Sequence, residues 1–147
     1  MISSRVAVAV HVLAYMAWKR SEAVTSERIA ASVNTNPVVI RRTLGQLRRA
    51  GLVTVQRGNG AGWSLARPLD AIPLLSVYQA VAPDEIFALH PSTPSQACPI
   101  GRGIQPVLRQ VYGGVEQAVR EELARTTVAS VLDATLDTPT GKPRRAR

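Results

Sequence analysis

The stretch "VIRRTLGQLRRAG", residues 39–51, carries two arginine pairs, Arg41-Arg42 and Arg48-Arg49. The pairs stand seven residues apart, about two helical turns, so both return to the same side of a helix. Four like charges on one side repel each other, and Gly45 between them costs the helix about 1 kcal/mol relative to Ala. Such a helix makes sense when that side meets a polyanion. Arginine can hold phosphate, or grip guanine through a bidentate contact.

No other group of residues offers comparable chemistry. His11 and His90 are isolated, and no Ser/His/Asp set, metal-spaced carboxylate pair or phosphate loop is present. The glycines of "GNGAG" follow a strand but lead into another strand, so the dinucleotide-binding context is missing. An enzyme is not indicated. The single cysteine, Cys98, leaves no disulfide framework within one chain and no four-cysteine metal site. Pro99 suits a first helical turn, which would set Cys98 near an N-cap where the helix dipole favours thiolate. Gly101, Gly103 and Pro106 argue for a later helix start, and a lone cysteine is often a small buried hydrophobe. Cys98 is therefore a candidate redox thiol, and no metal site is expected.

The arginines need elements to position them. "RVAVAVHVLAYMAW" is an apolar run that reads as a buried first helix capped by Ser3 or Ser4. It carries His11 and Tyr15 and runs into Lys19-Arg20 without a small-residue cleavage pattern, unlike a signal peptide. No apolar run approaches the ~18 residues of a membrane span, and the expected location is cytoplasmic. A second, short helix begins at Thr25 or Ser26, with Ile29 and Val33 on one face. "NTNPVV" breaks it and starts a third, which Asn36 can cap and Pro37 can open. On this third helix Ile40, Leu44 and Leu47 form the buried stripe. Val38, Arg42, Gly45 and Arg49 lie opposite, Arg41 and Arg48 on one flank, Gln46 on the other. A missing side chain at Gly45 would let the backbone approach a groove closely.

Gly51 ends that helix, and "LVTVQRGNGAGWSLA" reads as a hairpin with "RGNGAG" at its turn. A hairpin directly after a basic helix is the wing of a winged helix-turn-helix. Arg57 and Asn59 at its tip suit phosphate or minor-groove contacts. Trp63 either anchors the hairpin or stacks on a base, and the first role is the commoner one. Candidate DNA-contacting residues are therefore Ser26, Asn36, Val38, Arg41, Arg42, Gly45, Gln46, Arg48, Arg49, Arg57 and Asn59.

Beyond Pro68 the composition changes. Residues 1–67 carry a net +8, residues 68–137 a net −4, and the last ten residues +4. That asymmetry suggests a basic front and a separate body. "DAIPLLSVYQAV" predicts a fourth helix and "PSTPSQACPIGRG" a loop. Ile104, Leu108, Val111, Val115 and Ala118 then repeat at four- and three-residue steps, the seam of a long helix packed on a partner helix. Gly113-Gly114 marks either a kink or a close helix crossing. A last short helix is expected around 127–136, and the tail "TPTGKPRRAR" has nothing to bury. The expected division is a DNA-binding unit at 1–67, a connecting and dimerising unit at 68–136, and a disordered basic tail at 137–147. A small winged domain cannot cover so long a seam, which predicts a homodimer. The fold class is mainly α, a winged helix-turn-helix with a two-stranded wing and a long C-terminal dimerisation helix.

With these pieces assembled, the chain resembles the Rrf-two (IscR/NsrR-type) family of bacterial winged-helix transcriptional regulators. The resemblance runs to about residue 136 and rests on "SSRVAVAVHVLAYMA", "TSERIAASVNTNPVVIRRTLGQLRRAGLV" and "GNGAGWSLARP". It implies a homodimer on a roughly palindromic operator in double-stranded DNA, usually as a repressor. Cluster-binding members place three cysteines between the fourth helix and the dimerisation helix. Here "FALHPSTPSQACPIGRGI" holds only Cys98, with His90 as the other soft donor, whereas a [2Fe–2S] cluster takes four ligands. "CPIG" is similar instead to the cluster-free, YwnA-like branch, which implies no cofactor. Two alternatives stay open: a DNA binder sensing oxidants through Cys98, and a winged-helix adaptor whose basic face meets an acidic protein. The residues name no small-molecule effector.

Overall fold

In a computed structural model the described residues are 4–20, 22–82 and 84–139. The order is α1 (Arg5–Trp18), α2 (Ser26–Val33), α3 (Pro37–Arg49), β1 (Val53–Gln56), β2 (Gly62–Leu65), a 3-10 turn (Leu69–Ala71), α4 (Leu74–Val81), α5 (Pro99–Arg125) and α6 (Val128–Asp137). The mainly helical class with a two-stranded wing is the one the sequence predicts.

α1 buries Ala9, Val12, Leu13 and Met16, a stripe at helical spacing. Ser4 stands at its N-cap without a side-chain hydrogen bond, and Ser3 lies outside the described residues. His11 Nε2 meets Ser32 Oγ at 2.9 Å, tying α1 to α2. α2 is capped by Thr25, whose hydroxyl accepts from the Arg28 N–H. Ile29 and Ala30 pack inward. Asn34 ends it in the left-handed conformation (φ 61°), which turns the chain sharply toward α3. Asn tolerates that conformation better than most residues.

Past α3, Gly51 takes φ 74°, and the Leu52 N–H returns to the Leu47 carbonyl at 3.0 Å. This closes the helix and launches β1. β1 and β2 pair antiparallel with Val53 opposite Leu65 and Val55 opposite Trp63. Trp63 also exchanges backbone hydrogen bonds with Val24, at 2.8 and 3.0 Å, which stitches the wing to the α1–α2 connection. Gly62 sits there at φ 151°, where a Cβ would come within 2.9 Å of the Val24 carbonyl oxygen.

The fourth helix is shorter than expected. Pro73 lacks an N–H and holds Ile72 extended (φ −116°, ψ 95°), so the predicted 70–81 element splits into the 3-10 turn and α4. Ile72 and Leu74 then pair with the start of α6 through Val128 N to Ile72 O (2.9 Å) and Leu74 N to Thr126 O (2.8 Å). Ile72, Val77, Val81 and Val128 share one core with Leu13, Ile40, Leu47 and Val53. The core therefore runs unbroken across residue 67.

α5 corrects the loop expected through residue 103, because regular helix begins at Pro99 despite Gly101 and Gly103. Gly101 lies against the Ser95 carbonyl, and a Cβ there would collide with it. That glycine is a packing requirement and not a helix stop. The preceding segment lies along α5. Gln105 donates to the His90 carbonyl (3.2 Å), Arg102 to the Gln96 carbonyl (3.3 Å), and the Ile86 N–H donates to Glu116 (3.3 Å). Phe87 stacks on Tyr112 with ring centres 5.2 Å apart. The helix continues through Gly113-Gly114 to Arg125, and neither glycine has a neighbour within 4 Å of a built Cβ. From residue 140 the expected tail lies outside the described residues.

Candidate nucleic-acid interface

α3 starts from a fixed point. Asn36 is extended, and its Oδ1 accepts from the Val38 N–H at 2.8 Å, with Pro37 in the first turn. Ile40, Thr43, Leu44 and Leu47 face inward. Thr43 satisfies its buried hydroxyl on the Val39 carbonyl at 3.0 Å. Everything else the sequence placed on the outer face of α3 is exposed or half-buried: Val38, Arg41, Arg42, Arg48 and Arg49 exposed, Gly45 and Gln46 half-buried.

The arginines are not equivalent. Arg41 Nη1 is 3.1 Å from Glu27 Oε1, an exposed pair that partly offsets its charge and fastens α3 to α2. Arg42, Arg48, Arg49 and Arg57 have no carboxylate partner among the described residues. Among the described residues, nothing beyond the backbone of α3 itself would lie within 4 Å of a Cβ at Gly45, so packing does not require glycine there. Ser26 is only 7% exposed, and its hydroxyl donates to Glu27 Oε2 at 3.2 Å. Its side chain is thus turned into the protein. Asn36 is exposed, but its oxygen is committed to the helix cap. The wing tip carries Arg57 and Asn59, both exposed, with Gly58 (φ 84°) and Gly60 (φ 71°) supplying the left-handed turn. Trp63 is half-buried and packs against the core, as a hairpin anchor does.

On α5 no residue is buried, over 27 residues. Two apolar faces run along it. Leu108, Tyr112, Val119 and Leu123 are half-buried and face the rest of the chain. Ile100, Ile104, Val107, Val111, Val115 and Ala118 form a second stripe, roughly 100° around the helix, that is open: Ile100 is 72% exposed and Val107 58%. Of the expected seam, Leu108 thus lies toward its own chain. Ile100 and Val107 belong to the open stripe but were missed. Their signal was present, since steps of four, three and four join Ile100, Ile104, Val107 and Val111.

Cys98 is exposed and stands at the N-cap of α5, without a side-chain cap hydrogen bond. His90 Nδ1 accepts from the Ser92 N–H at 3.2 Å. Among the described residues no three His, Cys, Asp or Glu side chains gather as a metal site.

A basic helix on a helix-turn-helix, followed by a hairpin with a basic tip, defines a winged-helix DNA-binding fold. Residues 2–134 match the Rrf2 family, described as iron-dependent transcriptional regulators, and the chain belongs to that family. It is 41% identical over 134 residues to YwnA of Bacillus subtilis, described as an HTH-type transcriptional regulator, across 90% of this chain and 98% of that one. A crystal structure of a protein described as DNA-binding superposes with TM-score 0.72 at 37% identity, covering 88% of this chain and 99% of the other. A transcriptional regulator from Lactobacillus plantarum gives TM-score 0.80 at 26% identity, with 92% of each chain covered. The chain is therefore a transcriptional regulator with a DNA-binding fold, in a family of regulators and not of enzymes. No described helix is long and apolar enough to cross a membrane. The iron in the family's description does not fit these residues, because one exposed thiol with no gathered His, Cys, Asp or Glu among the described residues cannot supply a cluster's four ligands.

Proposed function

We propose that this protein is a repressor that binds a roughly palindromic operator as a homodimer, with α3 in the major groove and the wing tip on the flanking backbone or minor groove. The observation that carries this is the outer face of α3. Arg42 and Arg49 flank a glycine that the chain itself does not need, and Arg48 adds an unpaired charge beside them. In this reading Arg42 and Arg49 reach base edges, while Arg48 and Arg57 hold phosphates. Residues 1–67 would read DNA, and residues 68–136 would join two copies.

The open stripe on α5 supports the dimer. Five branched aliphatic side chains, 38–72% exposed, are left in water along one line. Pairing two such stripes would remove apolar area worth about 25 cal/mol per Å². A two-fold dimer would set its recognition helices against half-sites one helical turn apart, about 34–36 Å. The repressor role follows what the family resemblance implies, and such a regulator would act in the cytoplasm beside the chromosome. The test is selection of duplexes from a random library, followed by binding across salt concentrations. A DNA-reading protein enriches a sequence with two-fold symmetry and shows a steep log K against log salt slope. An adaptor for acidic proteins shows no sequence preference, and that result would end this reading.

A further inference from the structure

The first turn of α3 carries a feature that arginine chemistry does not explain. Val38 is 52% exposed and Val39 39%, while Ile40 beside them is fully buried. Val38 lies on the line of Arg42, Gly45 and Arg49, and Val39 on the flank of Gln46, by the helical spacing. Two branched apolar side chains thus stand in water at the leading end of an otherwise cationic face. No described element covers them.

We infer that Val38, with Val39 beside it, reads thymine 5-methyl groups in the major groove, so each operator half-site carries thymine where the first turn of α3 enters. This rests on the DNA-binding reading above and specifies its target. Valine has no donor or acceptor, so it cannot read the polar base edges, and against a phosphate it would only desolvate charge. In the major groove the apolar group is the thymine C5-methyl. The aim is also rigid. The Asn36 cap (2.8 Å to the Val38 N–H) and Pro37 fix the turn. β-branching holds χ1 of each valine largely to one rotamer in a helix. The methyls are pre-positioned, so little side-chain entropy is lost on contact.

The test uses the full chain and the duplex enriched from the random library. Each thymine is replaced in turn by deoxyuridine, which removes one methyl and leaves base pairing and phosphate charge unchanged. One or two positions per half-site should lose about fourfold in affinity. Replacing both symmetry mates together should cost about sixteenfold. Val38→Ala should bind the thymine duplex more weakly and no longer distinguish uracil there, while Val38→Ile keeps the discrimination. Val39→Ala should do the same at the neighbouring position. Uracil tolerated everywhere within twofold, or discrimination that survives in both alanine variants, overturns this inference while leaving DNA binding intact. If the library yields no enriched duplex, the DNA-binding reading itself falls, and this inference with it.

Discussion

Gly45→Ala should change stability and DNA affinity in opposite directions. Among the described residues the new methyl meets nothing within 4 Å beyond the backbone of α3, and the position is helical with no positive φ, so the fold accepts it without strain. Alanine is favoured over glycine in a helix interior by about 1 kcal/mol, from lower backbone entropy in the unfolded state. For a chain of 147 residues that should raise Tm by about 2–4 °C. Against DNA the sign reverses. Gly45 lies between Arg42 and Arg49 on the outer line of α3, and a Cβ there holds the backbone off the groove floor. Losing one well-formed arginine–guanine contact costs about 1–3 kcal/mol per half-site, so affinity for the selected duplex should fall at least tenfold. Differential scanning calorimetry and a fluorescence binding titration on one preparation supply both numbers. A stabilised variant that binds DNA as tightly as before would show that Gly45 does not enter a groove. A destabilised variant would show that the outer face of α3 is wrongly placed.

Other substitutions separate the remaining roles. Val111→Asp should leave the melting of the isolated chain nearly unchanged, since Val111 is 54% exposed, yet should break the dimer by burying two unpaired carboxylates at a cost of several kcal/mol; light scattering over a concentration series checks this, and an intact dimer refutes the α5 interface. Arg48→Ala should flatten the salt slope by about one charge per protomer and weaken all sequences alike, whereas Arg42→Ala should reduce sequence preference. Arg41→Ala should flatten the slope less than Arg48→Ala, because Glu27 already sits 3.1 Å from it; equal effects would mean that the pair opens on DNA. Gly101→Ala should displace the segment before α5 from the helix and lower Tm by several degrees, readable by calorimetry. Cys98→Ser should bind DNA like the parent with and without peroxide; loss of binding on oxidation in the parent alone would instead make Cys98 a sensor.

The winged half was legible because its signals are local. Asn36 and Pro37 announce the start of α3, Gly51 its end, and "RGNGAG" the wing turn, each through a backbone need that few residue types meet. The outer face of α3 followed from periodicity alone, since the inward Ile40, Leu44 and Leu47 fix where the others point. Ser26 escaped because its burial depends on tertiary packing and on Glu27 next to it, and a serine at a helix start looks the same whether it faces water or core. The ion pair between Arg41 and Glu27 escaped for the same reason, since it joins residues fourteen apart on two helices.

The second half was harder because its decisive contacts are long-range. Gly101 and Gly103 look like a loop until the Ser95 carbonyl is found occupying the space a Cβ would fill at Gly101. Reading the helix from 104 then hid Ile100 and drew the seam through Leu108, one position away from Val107. A helix with apolar residues on two faces gives two overlapping patterns, and periodicity cannot say which face belongs to the chain and which is left open. Packing decides: Phe87 on Tyr112 and the Ile86 N–H on Glu116 claim one side of α5. The stripe through Ile104 and Val111 is then left largely open among the described residues. The two halves follow one logic, since on α3 and on α5 alike the functional reading comes from residues whose choice the chain's own fold does not explain.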